Sequence, residues 1–222
     1  MIYELQDVTK VYEKRIALDL ERLSLREGEI YALLGPNGSG KTTLLRILAL
    51  LDAPSTGRVF FDSREVCFRE SKLRPLRRNV VMVNQRPIMF STTVYQNLAF
   101  GLKIRKTPRW QQRKTIERVL EMVGLSHLSG AQAGRLSGGE TQRIAIARAL
   151  ALAPRVILCD EPVANVDLEH QSVVVNLLRQ INREKKITIV FTTHDRLLAS
   201  SLADHSLYLD RGRLVDLPAN AI

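Results

Sequence analysis

The sequence lacks any apolar run long enough to cross a bilayer as a helix. Its uninterrupted apolar stretches span only a handful of residues, well short of the roughly 18 to 20 that a transmembrane helix needs. The first residues, Met1 to Asp7, alternate like a strand and lack the basic-then-apolar order of a signal peptide. We therefore expect a soluble chain in the cytoplasm.

Cysteine is also scarce, since only Cys67 and Cys159 occur among 222 residues. They lie far apart without the spacing of a metal site, which excludes a disulfide framework and favours a reducing compartment. Cys159 continues the apolar run Val156 to Leu158, where a small buried thiol fits. With 45% hydrophobic residues the chain can bury a core, and this excludes a disordered protein.

Positive charge is what the sequence has in excess, with a formal net charge of +10. Such a balance suits a nucleotide, a nucleic acid or an anionic membrane surface about equally well. The densest cationic segments are residues 69–78 and 103–114. We interpret each of them first as a solvated face and second as a contact for phosphate or lipid.

A glycine-rich loop lies between the apolar run Ile30–Leu34 and a helix-like run that ends at Leu51. Its residues are Gly35, Pro36, Asn37, Gly38, Ser39, Gly40, Lys41, Thr42 and Thr43. The spacing is that of a P-loop, in which glycines let backbone N–H groups face an anion. We expect Lys41 to reach the β- and γ-phosphates, Thr42 to bind Mg²⁺ and Thr43 to lie near the α-phosphate. The alternative is a Gly/Ser-rich turn, which leaves the flanking strand and helix unexplained.

Two acids at the end of an apolar strand predict a second part of this site. Val156–Cys159 precede Asp160 and Glu161, which is the Walker B pattern. The strand would place Asp160 at the carboxyl edge of the sheet, where it can hold Mg²⁺ through water. Glu161 would then be the general base for a water that attacks the γ-phosphate. The alternative is a pair of acids that begins a surface loop.

A small-residue segment precedes the predicted helix of residues 141–152. This segment is Leu136, Ser137, Gly138, Gly139 and Glu140. Ser137 occupies the N-cap position and the glycines leave backbone amides uncovered, which predicts a second anion site. Alone, the segment could also be an ordinary capped helix or a linker. Together with residues 142–150 it closely resembles the signature sequence of ATP-binding cassette (ABC) ATPases.

The resemblance to ABC ATPases covers nearly the whole chain and implies further roles. It implies that Tyr12 stacks on adenine, although the same residue could be an ordinary edge-strand tyrosine. It implies that Gln85 contacts Mg²⁺ and the attacking water, and that His194 contacts the γ-phosphate. Residues 164–167 resemble the D-loop, with Asp167 as its acid.

The sequence departs from the family pattern at two places. The signature ends in Glu140 where many members have Gln, a variant that is compatible with activity. The D-loop has Asn165 and Val166 where a small residue and Leu are usual. The second departure concerns contacts across a dimer and leaves nucleotide binding unaffected.

Strands that alternate with helices predict an α/β fold. The resemblance implies the P-loop NTPase fold of ABC ATPases, with a RecA-like core sheet, an N-terminal antiparallel β-subdomain and an inserted helical subdomain. We expect one ABC ATPase domain over residues 1–222. Its core would comprise residues 1–85 and 155–222, and the helical subdomain would comprise about 86–154.

One helix of the predicted helical subdomain runs from Pro108 to Val123 on its apolar periodicity. Thr107 is predicted as its N-cap and Gly124 as its stop. Trp110, near the start, is expected to pack locally and not to stack on a base.

The resemblance also implies ligands and partners. ATP and Mg²⁺ would be held between two copies of the chain, in a homodimer that forms with ATP bound. One P-loop leaves a side of the γ-phosphate uncovered, and a capped helix start with about half a positive charge could cover it. The resemblance further implies transmembrane permease subunits and a solute-binding protein, with the chain peripheral on the inner face of the membrane. We expect no nucleic acid partner.

Residues 84–90 and 94–103 look most like bacterial importer subunits for inorganic oxyanions, tungstate in particular. An alternative hypothesis, suggested by the charge of +10, is a soluble ABC ATPase that acts on nucleic acid or ribosomes. Such proteins carry long coiled coils or two cassettes in one chain, and the sequence has neither.

Overall fold

The computed structural model describes residues 1–164 and 166–216, apart from the side chains of Leu168 and Glu169. Contacts between residues divide the chain into two compact units. The first comprises Met1–Met82, Arg155–Glu161 and the described residues from Ile181 onward. The second comprises Val83–Pro154 and the described part of Pro162–Gln180. The predicted helical subdomain, about 86–154, did not include that last segment. Asn165, one of the two D-loop departures, lies outside the described residues.

Strands and helices alternate along the described residues, which confirms the α/β class. The strands are β1 (Tyr3–Tyr12), β2 (Arg15–Leu25), β3 (Ile30–Leu34), β4 (Thr56–Phe61), β5 (Arg64–Glu65), β6 (Val80–Val83), β7 (Val156–Cys159), β8 (Thr188–Thr193), β9 (His205–Asp210) and β10 (Arg213–Val215). The helices are α1 (Lys41–Leu48), α2 (Glu70–Leu76), α3 (Val94–Ile104), α4 (Arg109–Met122), α5 (Gly138–Ala151), α6 (Leu168–Lys185) and α7 (Arg196–Leu202).

The strands form two sheets. A four-stranded antiparallel sheet has the order β2-β1-β4-β5, and a six-stranded sheet has the order β10-β9-β3-β8-β7-β6. In the second sheet β3 pairs in parallel with β8 and β9, and β7 pairs in parallel with β8. These are the N-terminal antiparallel sheet and the core sheet that the sequence predicted.

The parallel strands of the core sheet position the candidate site. β3, β7 and β8 are buried along their whole length, as expected for strands covered on both faces. Their carboxyl ends lie at one edge of the sheet because the three strands run in the same direction. The P-loop follows β3, Asp160 and Glu161 follow β7, and His194 follows β8.

The first unit contains a large apolar core, to which β1, β2, β3 and α1 contribute. Tyr3 of β1 is fully buried, and its hydroxyl donates to the carbonyl oxygen of Leu48 at 2.6 Å. This bond joins the antiparallel sheet to the helix that follows the P-loop. Cys159 is also fully buried, as predicted, and burial, with a smaller effect of the Asp160 charge, raises its pKa to about 12.

The second unit is helical, with α3 and α4 packed against α5. Asn97 of α3 is fully buried and bonds both backbone groups of Phe90, accepting from its N–H (2.9 Å) and donating to its carbonyl (3.1 Å). The side chain of Thr93 caps α3 by accepting from the backbone N–H of Gln96. The segment after β6 is thereby fixed to the start of α3.

Two local predictions about α4 are wrong. The helix begins at Arg109, and its N-cap is Pro108 instead of Thr107, with no side-chain capping bond. Trp110 does not pack locally, since 71% of the residue is exposed. Periodicity located the apolar face of α4, but it could not show whether a neighbouring element covers the ring. Gly124 does follow the helix, with a left-handed φ of +69°.

Helix α2 was not predicted, because the cationic residues of this segment were interpreted only as a charged face. In the structure Arg77 pairs with Glu70 (2.8 Å) and donates to the Leu50 carbonyl (2.9 Å), which ties α2 to the end of α1. No helix among the described residues has the length and apolar character that crossing a bilayer requires.

Candidate active site

The predicted P-loop connects β3 to α1 in the first unit, and its backbone is tightly packed. Gly35 has φ +142° and Gly40 has φ +107°, values that L side chains rarely adopt. A Cβ on Gly35 would lie 2.0 Å from the Leu209 carbonyl oxygen, and one on Gly40 would lie 2.5 Å from that of Ala17. Glycine is therefore required at both positions by conformation and by space.

Substitution of Gly35 by alanine is expected to lower stability by about 2 kcal/mol or more, because steric overlap adds to backbone strain. Gly130→Ala is the matched control, since a Cβ there would meet nothing within 4 Å. Urea unfolding followed by circular dichroism measures both. A Gly35 variant as stable as the Gly130 variant would contradict the packing of the loop.

Ser39 is a loop residue with only 3% exposure. Its carbonyl accepts from the N–H of Gly212, in the turn between β9 and β10, at 2.8 Å. Its hydroxyl makes no hydrogen bond within the part of the chain that the structure describes. A buried hydroxyl without a partner costs roughly 1 to 3 kcal/mol, and a phosphate oxygen in the loop would supply one. The loop therefore fits a polyphosphate ligand.

Lys41 begins α1 and is 7% exposed. Its ammonium group donates to the carbonyl oxygens of Gly35 (2.7 Å) and Pro36 (3.0 Å). Burial lowers the pKa of Lys41, while the charges of Glu161 and Asp160 act in the opposite direction. The structure thus places this cation inside the loop and within the field of the two Walker B acids.

Asp160 joins the ends of three elements. Its Oδ2 accepts from the Thr42 hydroxyl (3.0 Å) and its Oδ1 accepts from the Thr192 hydroxyl (2.7 Å). Mg²⁺ is bound in such sites by one or two oxygen ligands from the protein together with substrate phosphates. Thr42 and Asp160 are such ligands side by side, so the residues present fit the ion predicted there.

Glu161 adopts a left-handed φ of +45°, a value that is costly for a residue with a Cβ. Its backbone N–H donates to the Thr192 hydroxyl at 2.8 Å, which helps to hold this conformation. Its Oε1 lies 3.7 Å from Nδ1 of His194, with the Glu161 side chain 17% exposed and the His194 side chain 70% exposed. The proposed base and the proposed γ-phosphate contact therefore lie next to each other.

Tyr12 is the last residue of β1, with 43% of its surface exposed. Its hydroxyl donates to Oδ2 of Asp52 (3.0 Å), which also pairs with Arg46 of α1 (2.7 Å). Burial, followed by the hydrogen bond to Asp52, raises the pKa of Tyr12. The Lys10 ammonium lies 5.0 Å from the ring centroid. The ring is thus fixed beside α1, as stacking on a base requires, but its role stays a prediction.

The signature segment begins α5 in the second unit. Ser137 and Glu140 form a capping box, in which the Ser137 hydroxyl accepts from the Glu140 N–H (3.2 Å) and Glu140 Oε2 accepts from the Ser137 N–H (2.8 Å). A Cβ on Gly139 would lie 3.3 Å from the Cβ of His170. Glu140, the departure from the usual Gln, therefore has a structural role in closing the helix start.

Gln85 and Asp167, two other predicted site residues, also belong to the second unit. Gln85 lies in an exposed bend two residues after β6. Asp167 precedes α6, and its Oδ1 accepts from the His170 N–H (3.0 Å) and pairs with His170 Nδ1 (2.6 Å). The hydrogen bond from the His170 side chain is the main cause of a lowered pKa of Asp167. The dimer contact predicted for Asp167 stays a prediction.

Two residues of the site were not predicted. Thr192 is fully buried and links Asp160 to the backbone of Glu161. Asp52 orients Tyr12 through a contact 40 residues away in sequence. Thr192 could have been found from its place at the end of a strand two residues before His194, whereas Asp52 has no signal in the sequence.

The model of the family described as ABC transporter matches residues 18–164. A spermidine/putrescine import ATP-binding protein of Acidothermus cellulolyticus is 39% identical over 218 residues, which are 96% of this chain and 56% of that protein. The chain thus spans just over half the length of that relative. A tungstate uptake system ATP-binding protein of Peptoclostridium acidaminophilum is 36% identical and is covered over 94% of both chains.

Solved structures include the ATP-binding cassette MJ0796, described as a dimeric post-hydrolysis state bound to ADP and Pi. It superposes with a TM-score of 0.86 and 32% identity, and covers 96% of each chain. The two chains are therefore similar in sequence as well as in fold.

Proposed function

Because the chain belongs to the ABC transporter family, we propose that it is the ATP-binding and ATP-hydrolysing subunit of an ABC transporter. The main support for this proposal is that Asp160, the first Walker B acid, is hydrogen-bonded to Thr42 at the end of the P-loop. That carboxylate accepts from Thr42 at 3.0 Å and from Thr192 at 2.7 Å. These bonds bring the P-loop, the proposed Mg²⁺ ligands and the proposed general base together at one edge of the sheet.

Each group of the chain has a distinct task in this proposal. The loop amides and Lys41 bind the phosphates, with the positive end of the α1 dipole adding to the attraction. Thr42 and Asp160 hold Mg²⁺, which neutralises charge on the phosphates when bound. Glu161 accepts the proton of the attacking water, and His194 orients the terminal phosphate. Thr192 positions both acids.

The working form in this proposal is a dimer with each ATP between the P-loop of one copy and the Ser137 helix start of the other. The dimeric state of the solved cassette MJ0796 supports it. Permease subunits in the membrane, with a solute-binding protein, would complete an importer that the chain serves from the cytoplasmic face. Relatives are described as importing spermidine/putrescine or tungstate. For this chain we propose an inorganic anion such as tungstate.

Lys41→Ala is expected to weaken the affinity for Mg-ATP by about 10- to 100-fold, the value of charge-assisted bonds to phosphate. Titration with a fluorescent ATP analogue measures it. Lys114→Ala is the matched control, since Lys114 is an exposed cation of the second unit. Equal affinity of the two variants would contradict the proposed phosphate site.

Isolation of the chain from native membranes together with an integral membrane protein tests the transporter partner.

A further inference from the structure

We propose that Arg15 is a further binding residue for the phosphate chain of the nucleotide, in addition to the P-loop. The inference rests on the proposed function, because it assigns a second contact to the same ligand. Arg15 belongs to none of the motifs identified in the sequence. Its position follows from the hairpin between β1 and β2.

That hairpin places Arg15 next to the tyrosine predicted to stack on adenine. Arg15 is the first residue of β2 and is paired directly with Tyr12, the last residue of β1. Directly opposed residues of an antiparallel pair project from the same face of the sheet. Tyr12 reaches Asp52 beside α1 on this face. Arg15 therefore projects from the hairpin on the side that holds Tyr12 against α1.

The Arg15 side chain reaches the P-loop itself. Its Nη2 lies 3.5 Å from the point that a Cβ on Gly38 would occupy. Gly38 has φ +79° and lies in the turn whose backbone N–H groups are predicted to face the phosphates. A guanidinium group is therefore held at the wall of the phosphate-binding loop.

The donors of Arg15 are not used by the residues that the structure describes. Arg46 and Arg213 pair with Asp52 and Asp19 at 2.7 and 2.6 Å. By contrast, the Arg15 side chain makes no hydrogen bond or ion pair with any residue in 1–164 or 166–216. A guanidinium group has five donors in a fork that matches phosphate oxygens. An anion at the P-loop is the partner that this geometry leaves for it.

The experiment compares Arg15→Gln with Lys14→Gln in the whole 222-residue chain. Lys14 lies in the turn of the same hairpin, is exposed, and forms no ion pair with the described residues, so its variant removes the same charge one residue away. Displacement of a fluorescent ADP analogue gives the affinities of Mg-ATP, Mg-ADP and adenosine. Thermal melts of each variant establish that it is folded.

We expect Arg15→Gln to lower the affinity for Mg-ATP and Mg-ADP by about tenfold. This is the lower end of the range for a hydrogen bond to a charged group, as suits an exposed side chain. Adenosine should bind as it does to the unchanged chain, and Lys14→Gln should stay within about twofold for every ligand. Equal losses for adenosine and ATP would instead place Arg15 at the base or ribose and overturn the proposal. So would a Mg-ATP affinity equal to that of the Lys14 variant.

The failure of this inference and the failure of the proposed function give different results. If the unchanged chain binds Mg-ATP and Arg15→Gln binds it equally well, only the role of Arg15 is overturned. If the unchanged chain does not bind Mg-ATP at millimolar concentration, both the proposed function and the role of Arg15 are overturned.

Discussion

Glu161→Gln is expected to slow ATP hydrolysis by about 10²- to 10⁴-fold, the usual contribution of a positioned general base. Glutamine has the same shape but cannot take the proton of the attacking water at neutral pH. The backbone at this position has φ +45° and is held by the bond from its N–H to Thr192. Since glutamine keeps that N–H, the variant changes the proton acceptor and leaves the local fold intact.

Phosphate release under saturating Mg-ATP measures the effect, with nucleotide titration as the test of binding. Glu121→Gln serves as the control, because Glu121 is an exposed acid of α4 in the second unit. ATP should bind to the Glu161 variant within a few-fold of the unchanged chain. Turnover within threefold of the control would remove Glu161 from the role of base.

Ser137→Arg is expected to abolish the ATP-dependent dimer while each single chain still binds the nucleotide. The proposal places the helix start at Ser137 against the γ-phosphate held by the other copy. A long cation there would fill the space in which the backbone amides of Gly138 and Gly139 are proposed to meet the phosphate. Light scattering after gel filtration, with Mg-ATP and the Glu161→Gln background, measures the mass of the complex.

Ser137 also caps α5, so the loss of the cap must be separated from the blocked contact. Ser137→Ala removes the same capping bond, which costs about 1 kcal/mol, but adds no bulk. We expect this control to keep a detectable dimer. A dimer of undiminished stability in the arginine variant would be incompatible with the sandwich of ATP between two chains.

The parts of the site that are continuous in sequence could be predicted from it. The P-loop is one uninterrupted stretch between a strand and a helix, so its spacing alone indicated a phosphate-binding loop and the place of Lys41 in it. The N-cap at Ser137 is likewise local, since the bond that its hydroxyl accepts comes from Glu140, three residues further on. The parallel strands then placed Asp160 and Glu161 at the same sheet edge as the loop.

The parts that depend on distant contacts could not be predicted. Thr192 meets Asp160 across 32 residues, and Arg15 reaches Gly38 only because the β1–β2 hairpin folds toward the loop. Trp110 was expected to pack, and the fold leaves it exposed. In each case the composition of the segment is compatible with several neighbours, and tertiary structure selects one.

A crystal structure of the Glu161→Gln chain with Mg-ATP would decide whether two copies of the chain share each ATP. We expect a dimer in which every triphosphate contacts the P-loop of one copy and the backbone amides of Ser137–Gly139 of the other. A nucleotide bound by one copy alone, with the partner's signature segment turned toward solvent, would contradict it.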